Sequence, residues 1–376
     1  MDIEKDFVHL SRFSLNGKTD DILAIIRKSL REIIKKRPDL KDLADPLMKQ
    51  VNTMGIVRSK NIFNEVMPVD NDSRLELIKR EEVIELENDL VLEPSVQSIL
   101  DSVIYERTKE SDLLKAGLTP TRSILLVGPP GVGKTLSARW IAMKLQRPLL
   151  ILDLAAVMSS YLGKTGNNIR AVLEYARKFP SVLLLDEFDS IAKRRDDATE
   201  LGELKRLVTV LLQTVDSWPA HGLLLAATNH PELLDPAIWR RFDRVVKFPN
   251  PRDTELEVFI NNILAKNINI SSEYLKLMAW FFEGNSFSEV ENTLKSILRT
   301  AITEDINIKH CLDAYLSKIV KHSNASKRIQ FAKLLNSANY SQREISELSG
   351  CSRDTLRKNK IGSKSLNNEE KGDPNR

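Results

Sequence analysis

The sequence predicts an α/β protein in which a parallel sheet sandwiched by helices is followed by a small helical lid, with further helical segments at both ends. Two observations carry this reading. Between about 94 and 249, five apolar runs of strand length (Ser123–Val127, Leu149–Leu152, Val182–Leu185, Leu223–Ala227 and Val245–Phe248) alternate with stretches of helical periodicity. Continuous runs of this kind mark strands buried on both faces, as in a parallel sheet. From Asp253 to about Val320 the apolar residues return to helical spacing, and no strand run interrupts them. With 42% hydrophobic and 29% charged residues, the 376-residue chain can bury the core this architecture needs, which excludes a wholly disordered or fibrous protein.

In chain order, residues 1–55 read as helices. Ile22, Ile25, Ile26, Leu30, Ile33 and Ile34 recur at helical spacing between an Asn16-Gly17 turn and Pro38, so a small helical hairpin is expected. Residues 56–93 carry short alternating runs, Leu75-Glu76-Leu77-Ile78 and Val83-Ile84-Glu85-Leu86, expected to form strands or a linker packed on the next domain. The α/β subdomain then spans 94–249, the lid 250–325 and a pair of short helices 326–361. Residues 362–376, rich in Gly, Ser, Asn, Glu and Lys, are expected to be disordered.

The two cysteines, Cys311 and Cys351, exclude a disulfide scaffold, and the five scattered histidines show no metal-binding spacing. No apolar run approaches the ~20 residues of a membrane helix, and Met1-Asp2-Ile3-Glu4-Lys5 does not open a signal peptide. A soluble, cytoplasmic protein is expected. Net charge is +4, and from Lys321 onward Lys and Arg outnumber Asp and Glu two to one, so the basic excess lies in the tail.

Chemistry concentrates at two places. Gly128-Pro129-Pro130-Gly131-Val132-Gly133-Lys134-Thr135 fits G-x-x-x-x-G-K-[ST] and joins a strand to the helical run that begins at Leu136. Glycines let backbone N–H groups close on phosphates, and the helix adds its positive end. Lys134 is expected at the β- and γ-phosphates and the Thr135 hydroxyl on Mg²⁺, making ATP and Mg²⁺ the expected ligands. The run Val182–Leu185 ends in Asp186 and Glu187, adjacent carboxylates that are costly beside a buried strand unless a cation compensates them. Asp186 would hold the ion through water and Glu187 would polarise an attacking water, so the reaction is hydrolysis.

With these motifs the sequence resembles the AAA family of ATPases over roughly residues 95–320. Gly128 to Thr135 resembles Walker A, and Leu184-Leu185-Asp186-Glu187-Phe188-Asp189 resembles Walker B. Leu225-Ala226-Ala227-Thr228-Asn229 is similar to the sensor-1 strand, which implies that Asn229 orients the lytic water. Leu234 to Asp243 is similar to the arginine-finger segment, which implies that Arg240 and Arg241, adjacent here, include one reaching the nucleotide of a neighbouring subunit. A ring, usually a hexamer, is thereby implied. Ser159 to Gly166 is similar to the pore loop of AAA unfoldases, implying that Tyr161, Leu162 and Gly163 grip a protein substrate; Lys164 stands where the family often has an acid. Phe281 to Glu291 resembles the lid motif, with Ser288 at or near the sensor-2 position where many DNA-acting members carry arginine. A group of bacterial AAA ATPases with helical N-terminal segments is also similar, which suggests a separate subtilisin-like peptidase as partner.

Gln342 to Arg357 has the rhythm of a helix-turn-helix. Ile345 and Leu348 would face the core, Ser346 would allow close packing, Gly350 would turn the chain, and Ser352 would cap a helix carrying Arg353, Arg357, Lys358 and Lys360. Such modules bind DNA or dock proteins. Two functions therefore stand at this point: a ring ATPase that unfolds, threads or remodels a protein, or a DNA-associated regulatory ATPase.

Overall fold

In the computed structural model, residues 67–68, 77–86, 89–159, 165–190 and 201–362 are described. The chain divides into two compact units, residues 1–66 and 67–376. The expected N-terminal hairpin, the Tyr161-Leu162-Gly163 segment and residues 363–376 lie outside the described residues.

The sheet of the second unit has the order β1-β3-β4-β5-β2-β6. Its strands are β1 (Lys79–Glu81), β2 (Ser123–Val127), β3 (Leu149–Asp153), β4 (Val182–Asp186), β5 (Leu223–Thr228) and β6 (Arg244–Lys247). Strands β2 to β6 are parallel, with Val127 opposite Thr228 and Asp153 opposite Asp186, so their carboxyl ends line one edge of the sheet. Every residue of β2 and β5 is buried, which is why these runs are unbroken by polar residues.

For the runs at 75–78 and 83–86, expected as strands or as a linker packed on the next domain, the described residues show one strand and a packed linker. The strand is β1, which lies between the two runs and pairs antiparallel with β3, while Val83–Leu86 is coil. Ile78 is buried, and Ile84 and Leu86 pack against the sheet's core, so the alternation records one-sided packing of a strap along the domain. The last strand also differs: β6 starts at Arg244 and ends before Phe248, one residue earlier at each end than its apolar run.

One face of the sheet is covered by α1 (Pro94–Thr108), followed by the short α2 (Glu110–Lys115), and by α3 (Lys134–Leu145). Val96, Leu100 and Val103 of α1 and Ala138 and Ile141 of α3 meet Ile124, Leu126, Leu184 and Leu225 there. The alternate residues Leu125, Leu183, Leu185 and Leu224 are fully buried on the opposite face. The connecting helices are α4 (Leu154–Ser159), α5 (Thr165–Arg177), α6 (Leu201–Asp216) and α7 (Pro236–Trp239). At the amino edge of the sheet the buried Arg107 donates to the carbonyls of Thr121, Ala220 and Gly222, tying together the loops that enter β2 and β5.

Beyond the sheet the chain is helical among the described residues: α8 (Asp253–Leu264), α9 (Ser272–Phe281), α10 (Phe287–Thr303), α11 (Ile308–Lys321), α12 (Ala325–Ser337), α13 (Gln342–Ser349) and α14 (Arg353–Lys358). Hydroxyl and amide caps start most of them: Ser271, Ser286, Asn307, Asn324, Ser341 and Ser352 each accept from a backbone N–H of the first turn. Leu277, Val290, Leu294 and Leu316 share one hydrophobic core with Phe331, Leu335, Ile345 and Leu356. A polar knot reinforces the join. The half-buried Asp313 carboxylate accepts from the hydroxyls of Tyr274 and Tyr340, each at 2.8 Å, and Lys309 lies over both rings. No helix among the described residues is long and apolar enough to cross a membrane.

Candidate active site

A cavity of about 1130 Å³ opens at the carboxyl edge of the sheet, between a strap formed by residues 81–86 and 89–91 and the lid. Its floor is the turn from β2 into α3. Gly128 is required there by close approach, because a Cβ would stand 2.3 Å from the Phe248 carbonyl oxygen. Gly131 has φ +77, and a Cβ on it would meet the Ser286 hydroxyl at 2.7 Å.

Lys134, 7% exposed, directs its ammonium to the carbonyls of Gly128 (2.7 Å) and Pro129 (2.8 Å) and to Asn229 Oδ1 (2.7 Å). Burial lowers its pKa to about 8, although the nearby Asp186 and Asp189 carboxylates oppose the shift. The Thr135 hydroxyl donates to Asp186 Oδ2 at 3.0 Å, and the Glu187 N–H donates to Asp186 Oδ1 at 3.0 Å. Glu187 takes φ +51, an uncommon conformation for a residue with a side chain, and its exposed carboxylate lines the cavity. Asn229 sits at the end of β5, between these groups in strand order, and its N–H donates to the buried Asp189, which also accepts from the Thr228 hydroxyl.

Pro130, Gly131, Gly133, Lys134, Thr135, Leu136, Asp186, Glu187, Asn229 and Ser288 therefore line one cavity. Gly128 and Pro129 reach it through the carbonyls that hold Lys134. Val132, also expected in the binding turn, is buried in the sheet's core and does not line the cavity. Arg240 and Arg241 follow α7 and do not line the cavity. Arg241 pairs with Asp216 at the end of α6, whereas Arg240 is exposed and carries no ion pair among the described residues.

Sequence reasoning missed three features. The strap supplies Ile84, Leu86, Leu90 and Val91 as an apolar wall, joined by Phe259 and Phe287, whose rings are 4.7 Å apart. Arg139 and Glu81 form a two-pronged ion pair on its rim. The lid also bonds the phosphate-type turn directly, through the Ser288 N–H to the Gly131 carbonyl at 3.1 Å. The Ser286/Glu289 capping box, which positions Ser288, was readable as Ser-x-x-Glu before an apolar run. The alternation at 83–86 leads to the expectation of a segment packed on the domain, but the strap carries no motif that would place it at the cavity.

A buried ammonium, a glycine turn opening a helix, and a hydroxyl beside a carboxylate are together the donor set for a polyphosphate with a hard divalent cation. Comparison with known proteins agrees with that chemistry. The family described as "ATPase family associated with various cellular activities (AAA)" matches residues 124–250. An uncharacterized AAA family ATPase, y4kL, of Sinorhizobium fredii (strain NBRC 101917 / NGR234) is 34% identical over 290 residues, covering 77% of this chain and 86% of that protein. The proteasome-activating nucleotidase of Methanopyrus kandleri is 33% identical over 255 residues; the match covers 65% of this chain and spans only 58% of the nucleotidase. In fold, the crystal structure of the FIGL-1 AAA domain is similar at a TM-score of 0.55 and 22% identity, covering 70% of this chain and 94% of that one.

Proposed function

Given that this chain belongs to the AAA family of ATPases and is an ATP hydrolase, we propose that it assembles into a ring, a hexamer, and couples hydrolysis of Mg-ATP to unfolding, threading or remodelling a protein substrate. The observation that carries the reading is the seat of Lys134: a desolvated ammonium held by the turn it belongs to and by Asn229, beside the Thr135–Asp186 pair. Bound Mg²⁺ would neutralise charge on the β- and γ-phosphate oxygens. Thr135 and Asp186 would hold it, Asp186 through water, and their oxygens suit a hard cation. Lys134 would move its ammonium from the Gly128 and Pro129 carbonyls to phosphate oxygens. Glu187 would orient the attacking water and accept its proton at the carboxylate, and Asn229, steadied by Asp189, would position that water through its amide. Ser288 and the apolar wall of the strap would pack on the nucleoside.

The arginines divide by partner. Arg241 is tied to Asp216 within its own subunit, which supports Arg240 as the residue that reaches the neighbouring nucleotide. A guanidinium suits that role because it stays charged and matches phosphate oxygens with a rigid fork. Tyr161, Leu162 and Gly163 would grip the substrate chain in the pore. A relative named for proteasome activation supports a division of labour in which a separate peptidase, subtilisin-like in this case, degrades what the cytoplasmic ring delivers.

The test compares two variants purified from the host cell with ATP present. Glu187→Gln, which keeps the phosphate cradle, should retain ATP and bound protein substrate. Lys134→Ala should retain neither. Identical protein content in both would remove the link between nucleotide and substrate.

A further inference from the structure

The last three helices are built with more care than the phosphate cavity requires, and none of their residues lines it. Helix α13 ends at Gly350, which has φ +64, and α14 starts two residues later with Ser352 accepting from the Thr355 N–H. Ile345, Cys351 and Leu356 are buried, packed with Phe331 and Leu335 of α12 in the lid's core, and Ser349 is buried as well. The bend is braced from three directions. Ser346 Oγ donates to the Cys351 carbonyl at 2.8 Å, Ser317 Oγ to the Leu348 carbonyl at 2.8 Å, and the Arg328 guanidinium to the carbonyls of Ser349 and Gly350. This is a helix-turn-helix with a supporting third helix, held in one shape.

Its outward side is cationic. Arg353, Arg357 and Lys358 of α14 are exposed and carry no ion pair among the described residues, and the exposed Lys360 follows them. Some other surface cations do pair with carboxylates, such as Arg122 with Asp243, Arg252 with Glu93 and Lys295 with Glu291. The carboxylate of α14 is Asp354, in its first turn, and it leaves the helix positive.

We propose that α12, α13 and α14 form a site for double-stranded DNA, in which the cations of α14 meet backbone phosphates and the lid carries the bound duplex. The corner of two helices on a third is the geometry that seats a second helix in the major groove. Duplex RNA does not admit a helix in its deep, narrow major groove, and an acidic peptide needs no such corner. Because α14 has six residues, phosphate contacts dominate and sequence preference is weak.

The experiment measures binding of the full chain to a short labelled DNA duplex at several salt concentrations, with the RNA duplex of the same sequence and polyglutamate as parallel probes. Three neutralised phosphates give a log-log slope of about −2.7, or roughly a 40-fold loss of affinity between about 50 and 200 mM salt. Arg357→Ala with Lys358→Ala should lower the slope by about two and leave ATP hydrolysis without DNA unchanged. Arg357→Gln with Lys358→Gln, which keeps side-chain bulk, should do the same. Absence of DNA binding at low salt, an unchanged slope in both double variants, or equal or tighter binding of RNA or polyglutamate would overturn the proposal. The last of these would make the face a docking site for an acidic partner or for RNA.

Discussion

Raising the pH titrates Lys134 in the free protein, and nucleotide affinity should follow it. The ammonium is pushed down to about 8 by burial. Its charged fraction therefore falls from about three quarters at pH about 7.5 to about 3% at pH about 9.5. Phosphate selects the charged form and raises its pKa, so affinity falls with the fraction charged, about 20-fold or ~1.8 kcal/mol over that range. Nucleotide binding above pH about 8 should also take up a proton. ADP suits the assay because its own charge is constant in this window, and titration calorimetry in buffers of different ionisation enthalpy reads both affinity and proton uptake. Unfolding does not mimic the effect. Between about 8 and 10.5 the unfolded chain holds more protons at this lysine than the folded one, so the cost of burying the ammonium is relieved, and stability rises, as pH rises. Lys134→Ala should bind weakly with a flat profile. A flat profile in the native protein, or the same fall in Lys134→Ala, would refute the assignment of Lys134 to phosphate.

Three further outcomes are expected. Gly131→Ala forces a side chain into φ +77 and against Ser286 and Ser288, so denaturant unfolding should show a loss of about 1–2 kcal/mol or more, with nucleotide affinity lowered as the lid is displaced. Glu187→Gln should leave ADP affinity nearly unchanged and lower kcat by about 10²–10⁴, read in a phosphate-release assay. Tyr340→Phe removes a hydroxyl that donates to Asp313, and the denaturant midpoint should report a loss of about 1–2 kcal/mol with ATP hydrolysis retained.

The sheet was legible because its strands are buried on both faces, so β2, β4 and β5 appear as unbroken apolar runs. The phosphate cradle was legible because its residues are consecutive: Gly128 to Thr135 must supply a turn, a lysine and a helix start in that order. What escaped detection was assembled across distance. The strap of residues 81–86 and 89–91 contributes apolar contacts that any hydrophobic sequence could make, and its alternation is shared by strands and one-sided coil alike. The pairing of Arg241 with Asp216 joins residues 25 positions apart on different elements, so two adjacent arginines that look equivalent in sequence have different surroundings. The caps, by contrast, were local. Ser352 and Gly350 were read correctly because a hydroxyl before a helix and a glycine after one satisfy backbone groups within a few residues.

The central claim is that hydrolysis occurs at sites completed by a neighbouring subunit in a ring. It is tested by the ATPase rate of mixed subunits. One variant carries Arg240→Ala and Arg241→Ala, the other Glu187→Gln, and each alone should be nearly inactive. In an equimolar ring joined head to tail, an interface with an intact base on one side and an intact arginine on the other arises about a quarter of the time. The mixture should therefore recover about a quarter of the native rate once subunits have exchanged. No recovery, with exchange demonstrated by mass-tagged subunits, would contradict the account.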